Sequence, residues 1–264
     1  MLRLSKLAMV CWGAAAMLAF SGASFAGDAP VTANITNGKN IFQNGKPDGS
    51  VPACSSCHGE KAMGNDDMGT PRLANIGYVY VVKQLTNFAE DKRIPQGLGA
   101  VMNGFAKSLS EQDKRDISAY VNSLPRPNKS DLSDLTALKA GGQPVGEAYK
   151  GKILVRYGGK VSACQTCHGF DGRGADPVYP KIGQQKFVYL TNQLRNWRAG
   201  AADPKADGAR SNDPLGQMRA IAKNLTDDDI NNAATYLSQA EDSTPGDGME
   251  IDNQMVMKNV KITK

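Results

Sequence analysis

Two stretches of this chain carry the same pattern. Ala53-Cys54-Ser55-Ser56-Cys57-His58-Gly59 returns 110 residues later as Ala163-Cys164-Gln165-Thr166-Cys167-His168-Gly169. The repetition continues beyond the cysteines. Pro71-Arg72-Leu73, Val79-Tyr80 and Gln84-Leu85-x-Asn87-Phe88 recur at an offset of 109 as Pro180-Lys181-Ile182, Val188-Tyr189 and Gln193-Leu194-x-Asn196-Trp197. Met102-x-x-x-Ala106-Lys107-x-Leu109 then recurs at an offset of 116 as Met218-x-x-x-Ala222-Lys223-x-Leu225. So many features kept in one order mark an internal duplication. A chain built this way folds twice, into units of about 100 residues, each large enough for a small core, the more so around a large apolar cofactor. The step from 109 to 116 places a seven-residue insertion between Trp197 and Met218. There Ala199 to Pro214, rich in Gly, Ala, Asp and Pro, is predicted to be a surface loop.

The repeated pattern has a specific chemistry. Cys-x-x-Cys alone fits a dithiol, a disulfide or half of a zinc site, but a histidine directly after it reads as covalent attachment of haem c. Two thiols at this spacing bond to one haem edge, and the adjacent imidazole reaches the iron. Cys54, Cys57, Cys164 and Cys167 are therefore the predicted attachment sites, and His58 and His168 the proximal iron ligands. Zinc is disfavoured because adjacent Cys and His are poorly placed as two ligands of one tetrahedral ion. The fifth cysteine, Cys11, lies in the N-terminal apolar stretch.

The chain has only two histidines, so neither haem can be held by a histidine on both faces. Every cysteine beyond Cys11 is also used. Methionine, lysine, an N-terminal amine or an open position remain. Met102 and Met218 are repeat-equivalent, 44 and 50 residues after their histidines, far enough for the chain to reach the opposite haem face. They are the predicted sixth ligands, since thioether ligation favours ferrous iron and suits an electron carrier. Met63 and Met68 follow His58 too closely, and Met249, Met255 and Met257 have no repeat partner.

The expected fold class is all-α. Ser110-Glu111-Gln112-Asp113 and Thr226-Asp227-Asp228-Asp229 resemble capping boxes, each opening a run with helical apolar spacing. Helices are also predicted over Tyr78 to Phe88, Phe187 to Trp197, Asn40 to Gln43 and Lys150 to Arg156. Tyr120 and Tyr236 are expected to pack the last helix of each copy on its first. Pro71 and Pro180 are expected to support the histidine loops. Tyr80/Tyr189, Gln84/Gln193 and Phe88/Trp197 are expected to pack on or near the haems. Lys107 and Lys223 are read as solvated side chains or as contacts to a haem carboxylate or a partner.

Residues 1–26 read as a cleavable export signal: Arg3 and Lys6, an apolar run from Leu7 to Phe20, then Ser24-Phe25-Ala26. The domain layout expected is residues 27–125, a linker at 126–146 holding one short helix, residues 147–240, and a tail at 241–264. The balance of 31 basic and 26 acidic residues leaves no electrostatic footprint for nucleic acid. A soluble or peripherally membrane-bound periplasmic protein is expected, monomeric or weakly dimeric.

The two Cys-x-x-Cys-His-Gly motifs, the Tyr-x-x-x-Gln-Leu segments and Met-x-x-x-Ala-x-x-Leu before an acidic capped helix together resemble the dihaem cytochrome c4 family. The likeness spans nearly all of the chain after residue 26. It implies two class I cytochrome c domains related by approximate twofold symmetry, with His58/Met102 and His168/Met218 ligation of two haem c groups. It also implies electron transfer from a quinol-oxidising complex towards a terminal oxidase or reductase, with no catalysis by the chain itself. The competing expectation is a haem oxidoreductase, thiosulfate dehydrogenase-like or peroxidase-like, or a redox subunit of one.

Overall fold

The computed structural model describes residues 32–241. The predicted export signal, Cys11, most of the C-terminal tail and the methionines at 249, 255 and 257 lie outside the described residues. Among the described residues the regular structure is helical. The only β pairing is two isolated bridges, Asn65 with Thr70 and Ala175 with Tyr179.

The first copy contains α1 (Ile35–Asn44), α2 (Ser55–His58), α3 (Tyr78–Ala89), α4 (Val101–Lys107) and α5 (Glu111–Ser123). The linker contributes α6 (Leu135–Ala140), the one short helix expected there. The second copy repeats the plan with α7 (Ala148–Tyr157), α8 (Gln165–His168), α9 (Phe187–Ala202), α10 (Gln217–Ala222) and α11 (Asp227–Ser238). Both capping boxes form. Ser110 accepts from the Asp113 amide while Asp113 accepts from the Ser110 amide, and Thr226 and Asp229 do the same. Each satisfies two backbone donors that a helix start leaves unpaired.

Two boundaries differ from the sequence expectation by more than two residues. Helix α1 begins at Ile35, before Asn40, because Asn34 caps it by accepting from the Asn37 amide. Helix α9 runs on to Ala202, into the stretch expected to be loop. Ala199, Gly200, Ala201 and Ala202 are small, and Gly200 lies directly under the backbone of Arg210. Close packing of the returning chain holds this last turn helical. Most of residues 203–209 are exposed as expected, yet Arg210 is buried.

Each copy has its own core. In the first, Ile41, Phe42, Val81, Leu85, Ile117, Tyr120 and Val121 pack together. In the second, Leu154, Val155, Phe187, Leu190, Ile230, Ala234 and Leu237 do so. First and last helices cross in both: α1 on α5 and α7 on α11. Tyr120 seals the first crossing, its ring 5.5 Å from that of Phe42.

Glycine makes these crossings close. A Cβ on Gly38 would lie far inside contact distance of the Asp116 carbonyl, and one on Gly151 would do the same to the Asn232 carbonyl. Alanine in a helix ordinarily gains about 1 kcal/mol over glycine. Here the obstacle is backbone, so the overpacking cost should win. Gly151→Ala is expected to lower the stability of the haem-loaded protein by roughly 1–3 kcal/mol. Urea unfolding followed by circular dichroism measures this, and unchanged or increased stability would refute the close crossing.

Candidate haem-binding sites

The Cys-x-x-Cys-His segment forms one helical turn in each copy. The His58 amide donates to the Cys54 carbonyl at 3.0 Å, and the His168 amide to the Cys164 carbonyl at 2.9 Å. Residues three and four apart in a helix share a face, so the first cysteine, the second and the histidine stand together. None of the four cysteines is in a disulfide. Burial pushes the Cys54 and Cys164 thiols up to about 11, which keeps them protonated at neutral pH. Among the described residues no three His, Cys, Asp or Glu side chains cluster as a metal-ion cage.

After each histidine the chain reverses. Gly64 and Gly174, both at positive φ, donate to the His58 and His168 carbonyls at 2.9 and 2.6 Å. Such a conformation costs glycine nothing and other residues something. The reversal returns Pro71 and Pro180 over the imidazoles, the supporting role expected of them. His58 Nδ1 lies 3.1 Å from the Pro71 carbonyl and His168 Nδ1 2.9 Å from that of Pro180. A carbonyl only accepts, so Nδ1 must carry the proton and Nε2 keeps its lone pair. That is the tautomer an iron ligand requires, oriented by an outer-shell bond. Burial, partly offset by this bond, holds both imidazoles below their ordinary pKa.

A cavity of about 840 Å³ opens against the first motif. Cys54, Cys57, His58 and Met102 all line it, together with Leu73, Ile76, Leu85, Phe105 and other apolar side chains. Its size and mostly apolar wall are those of a site for a large organic group. Unpaired thiols, a correctly protonated imidazole and a thioether around one cavity fit haem c. Met68 also lines this cavity. Met102 and Met218 are each half-buried at the second position of their helices, α4 and α10. A 3₁₀ turn precedes each, at Gly97–Ala100 and Pro214–Gly216. His168 and Met218 thus occupy the places of His58 and Met102. Lys107 is exposed and paired with Asp91 at 2.7 Å, and Lys223 is exposed.

Sequence patterning missed three features. The first is a network behind His168, where Arg156 donates to both Asp171 oxygens at 2.8 and 2.6 Å and the Tyr236 hydroxyl donates to Asp171 as well. Tyr236 thus ties α11 to α7 through this carboxylate. The second is Arg72, buried and donating to the Gln184 and Gly183 carbonyls of the other copy, while Gln185 clasps its backbone. The third is a pair of buried arginines, Arg93 and Arg210, between the copies. They stand nine and eight residues before Met102 and Met218, a spacing visible only once the insertion is shifted by one residue.

The cytochrome c family profile matches this chain twice, over residues 35–125 and 155–241. A thiosulfate dehydrogenase electron acceptor of Stutzerimonas stutzeri (strain A1501) is 29% identical over 216 residues, covering 81% of this chain and 91% of that protein. Among solved structures, reduced recombinant cytochrome c4 from Pseudomonas stutzeri is similar with a TM-score of 0.59 at 27% identity, over 79% of this chain and 99% of that one. A thiosulfate dehydrogenase (TsdBA) from Marichromatium purpuratum is similar with a TM-score of 0.65 at 26% identity, over 77% of this chain but 40% of that longer chain.

The Asp171 network carries a prediction for the second copy. Burial alone would raise the Asp171 pKa, but Arg156 and Tyr236 outweigh it and hold it below 3.8. A carboxylate depressed on folding contributes stability above its ordinary pKa and loses it as pH falls through the folded value. Asp171→Asn is therefore expected to cost roughly 2 kcal/mol at pH 7, between a surface and a fully buried pair. The gap to the unsubstituted holoprotein should begin to narrow below about pH 4 and close only once the pH lies under the folded value. Urea titrations at pH 7 and at successively lower acid pH check this, and a gap that never narrows in acid would contradict it.

Proposed function

Since the chain belongs to the cytochrome c family, as a dihaem cytochrome c4-like electron carrier, we propose that it works in the periplasm between a quinol-oxidising complex and a terminal oxidase or reductase. It carries two haem c groups and acts as an electron-transfer protein, with redox proteins as its partners. Haem c supplies a one-electron ferric/ferrous couple. The chain's own residues attach, ligate and insulate that couple.

In this reading Cys54 and Cys57 attach one haem and Cys164 and Cys167 the other. His58 and His168 present Nε2 to the irons, and Met102 and Met218 complete the coordination from α4 and α10. The observation that supports it best is the first cavity, where both cysteines, the Pro71-oriented imidazole and the Met102 helix line one apolar space. Saturated irons leave no open position for substrate, in keeping with a carrier. Residues 1–26 act as the export signal; 27–125 and 147–240 are the two domains, joined by 126–146 and followed by a tail. Peripheral contact with a membrane belongs to this reading; no helix among the described residues is long and apolar enough to cross one.

The Stutzerimonas stutzeri likeness favours a second reading of the donor side: a thiosulfate-oxidising dehydrogenase delivers the electrons. Reduction of the purified protein by such a dehydrogenase, compared with reduction by a quinol-oxidising complex, decides between the two donors.

An optical redox titration tests the ligand set. Two low-spin haems at positive potentials are expected, with a sulfur-to-iron charge-transfer band. Met102→Ala and Met218→Ala should each abolish about half of that band and let one haem bind small ligands. Each should also lower that haem's potential by more than roughly tenfold in reduced-to-oxidised ratio, about 59 mV for a one-electron couple. A band that survives both substitutions would remove these methionines from the iron.

A further inference from the structure

Arg93 and Arg210 are only 7% and 6% exposed, and they converge between the two copies. Arg93 donates to Gln84 at 2.8 Å, to Gln193 at 2.8 Å and to the Tyr189 hydroxyl at 3.1 Å. Arg210 donates to the same two glutamines at 3.1 and 2.7 Å, to Asn212 at 3.0 Å and to the Tyr80 hydroxyl at 3.3 Å. Each guanidinium also stacks on an aromatic ring: Arg93 on Phe88 at 4.6 Å and Arg210 on Trp197 at 4.1 Å.

Every acceptor in this cluster is neutral. Neither arginine pairs with a carboxylate among the described residues, although both are buried and two glutamine oxygens bridge them. A half-buried lysine, Lys83, adds a third positive charge nearby. Its neighbour Asp213 is engaged by Arg219 at 2.8 Å. Burying an uncompensated charge is costly, and placing like charges together adds to that. Tyr80 registers the strain. Burial would raise the Tyr80 hydroxyl's pKa, but Arg210 and Arg93 outweigh it and draw it down. Such a cluster lacks an anion.

The first cavity reaches this cluster. Its wall includes Arg93, Tyr80 and Gln84, and from the other copy Tyr189, Asn192, Gln193 and Asn196. By the 109-residue offset, the equivalents of these last four are Tyr80, Lys83, Gln84 and Asn87. The buried Asn87 amide nitrogen has no hydrogen-bond partner. A haem fixed by two thioethers along one edge carries its two carboxylates on the opposite edge, away from the cysteines.

We propose that Arg93 and Arg210 form one shared counter-charge for the carboxylate edges of both haems, so that a single guanidinium pair holds and tunes the two redox centres together. The proposal rests on the two-haem content of the reading above and is independent of methionine ligation. A cation near a ferric/ferrous couple disfavours the more positive ferric state, so removing it lowers the potential.

The test is a redox titration of holoprotein bearing Arg93→Gln or Arg210→Gln, with haem content and the charge-transfer band checked first. Each substitution is expected to lower both potentials, by roughly tenfold in reduced-to-oxidised ratio, about 59 mV. Arg93→Lys and Arg210→Lys, which keep the cation, should shift both by less. A variant that moves one haem alone or neither overturns the proposal, as do lysine variants that shift as far as glutamine ones. A missing charge-transfer band with both potentials shifted would instead remove only the Met102 and Met218 assignment. Should the glutamine variants fail to take up haem, the unsubstituted ferrous holoprotein decides by nuclear Overhauser contacts. Contacts from Arg93 and Arg210 side-chain protons to the methylenes bearing the haem carboxylates are expected. Their absence overturns the proposal.

Discussion

The bond from each histidine Nδ1–H to a proline carbonyl sets the conditions for much of the rest. It fixes the tautomer, so Nε2 keeps the lone pair that iron needs, and it fixes the ring's direction. To make it, the chain must leave a single helical turn, reverse at a left-handed glycine and come back with an acceptor. Both copies solve this with the same backbone bonds. The returning strand of the loop is then pinned to the last helix, Asn75 donating to the Val121 carbonyl at 2.8 Å and Gln184 to that of Leu237 at 2.7 Å. The imidazole's orientation is thereby tied to the helix crossing at the back of each core.

The copies diverge in how they brace that loop. Ala62 and Gly172 are repeat-equivalent: both sit at positive φ, and both accept from the returning chain, Ala62 from the Leu73 and Ala74 amides and Gly172 from those of Ile182 and Gly183. In the first copy the alanine is fully buried and fills the space by packing. In the second a glycine takes that position, and the residue before it, Asp171, carries a carboxylate held by Arg156 and Tyr236, with Arg156 stacked 4.2 Å from the Phe170 ring. One copy braces the loop with close packing, the other with a charge network. The tyrosine serves in both, since Tyr120 accepts from Gln43 in the place where Tyr236 donates to Asp171.

Duplication also turned one surface into an interface. Tyr80 and Gln84 of one copy meet Tyr189 and Gln193 of the other through two arginines, so equivalent residues contact one another as across a twofold dimer interface. The insertion in the second copy changes the route. The chain leaves α9, passes through exposed residues and returns with Arg210 over Trp197. The first copy, without the insertion, sets Arg93 over Phe88 in the same way, so the added residues lengthen the route and leave its buried end point unchanged.

Cys54, Cys57, His58 and their repeats needed no fold to be read, because covalent attachment and proximal ligation require that order within one helical turn. The helical class and the paired units were equally legible, since apolar spacing and capping residues act through local backbone geometry. The methionines could be singled out because the chain holds just two histidines and because a duplication marks equivalent positions. The end of α9, the network around Asp171 and the convergence of Arg93 with Arg210 were not legible. Each depends on groups far apart in the chain meeting at a few ångströms. Pattern and spacing carry local chemistry, whereas which buried charges face one another is set only when two cores pack together and exclude water between them.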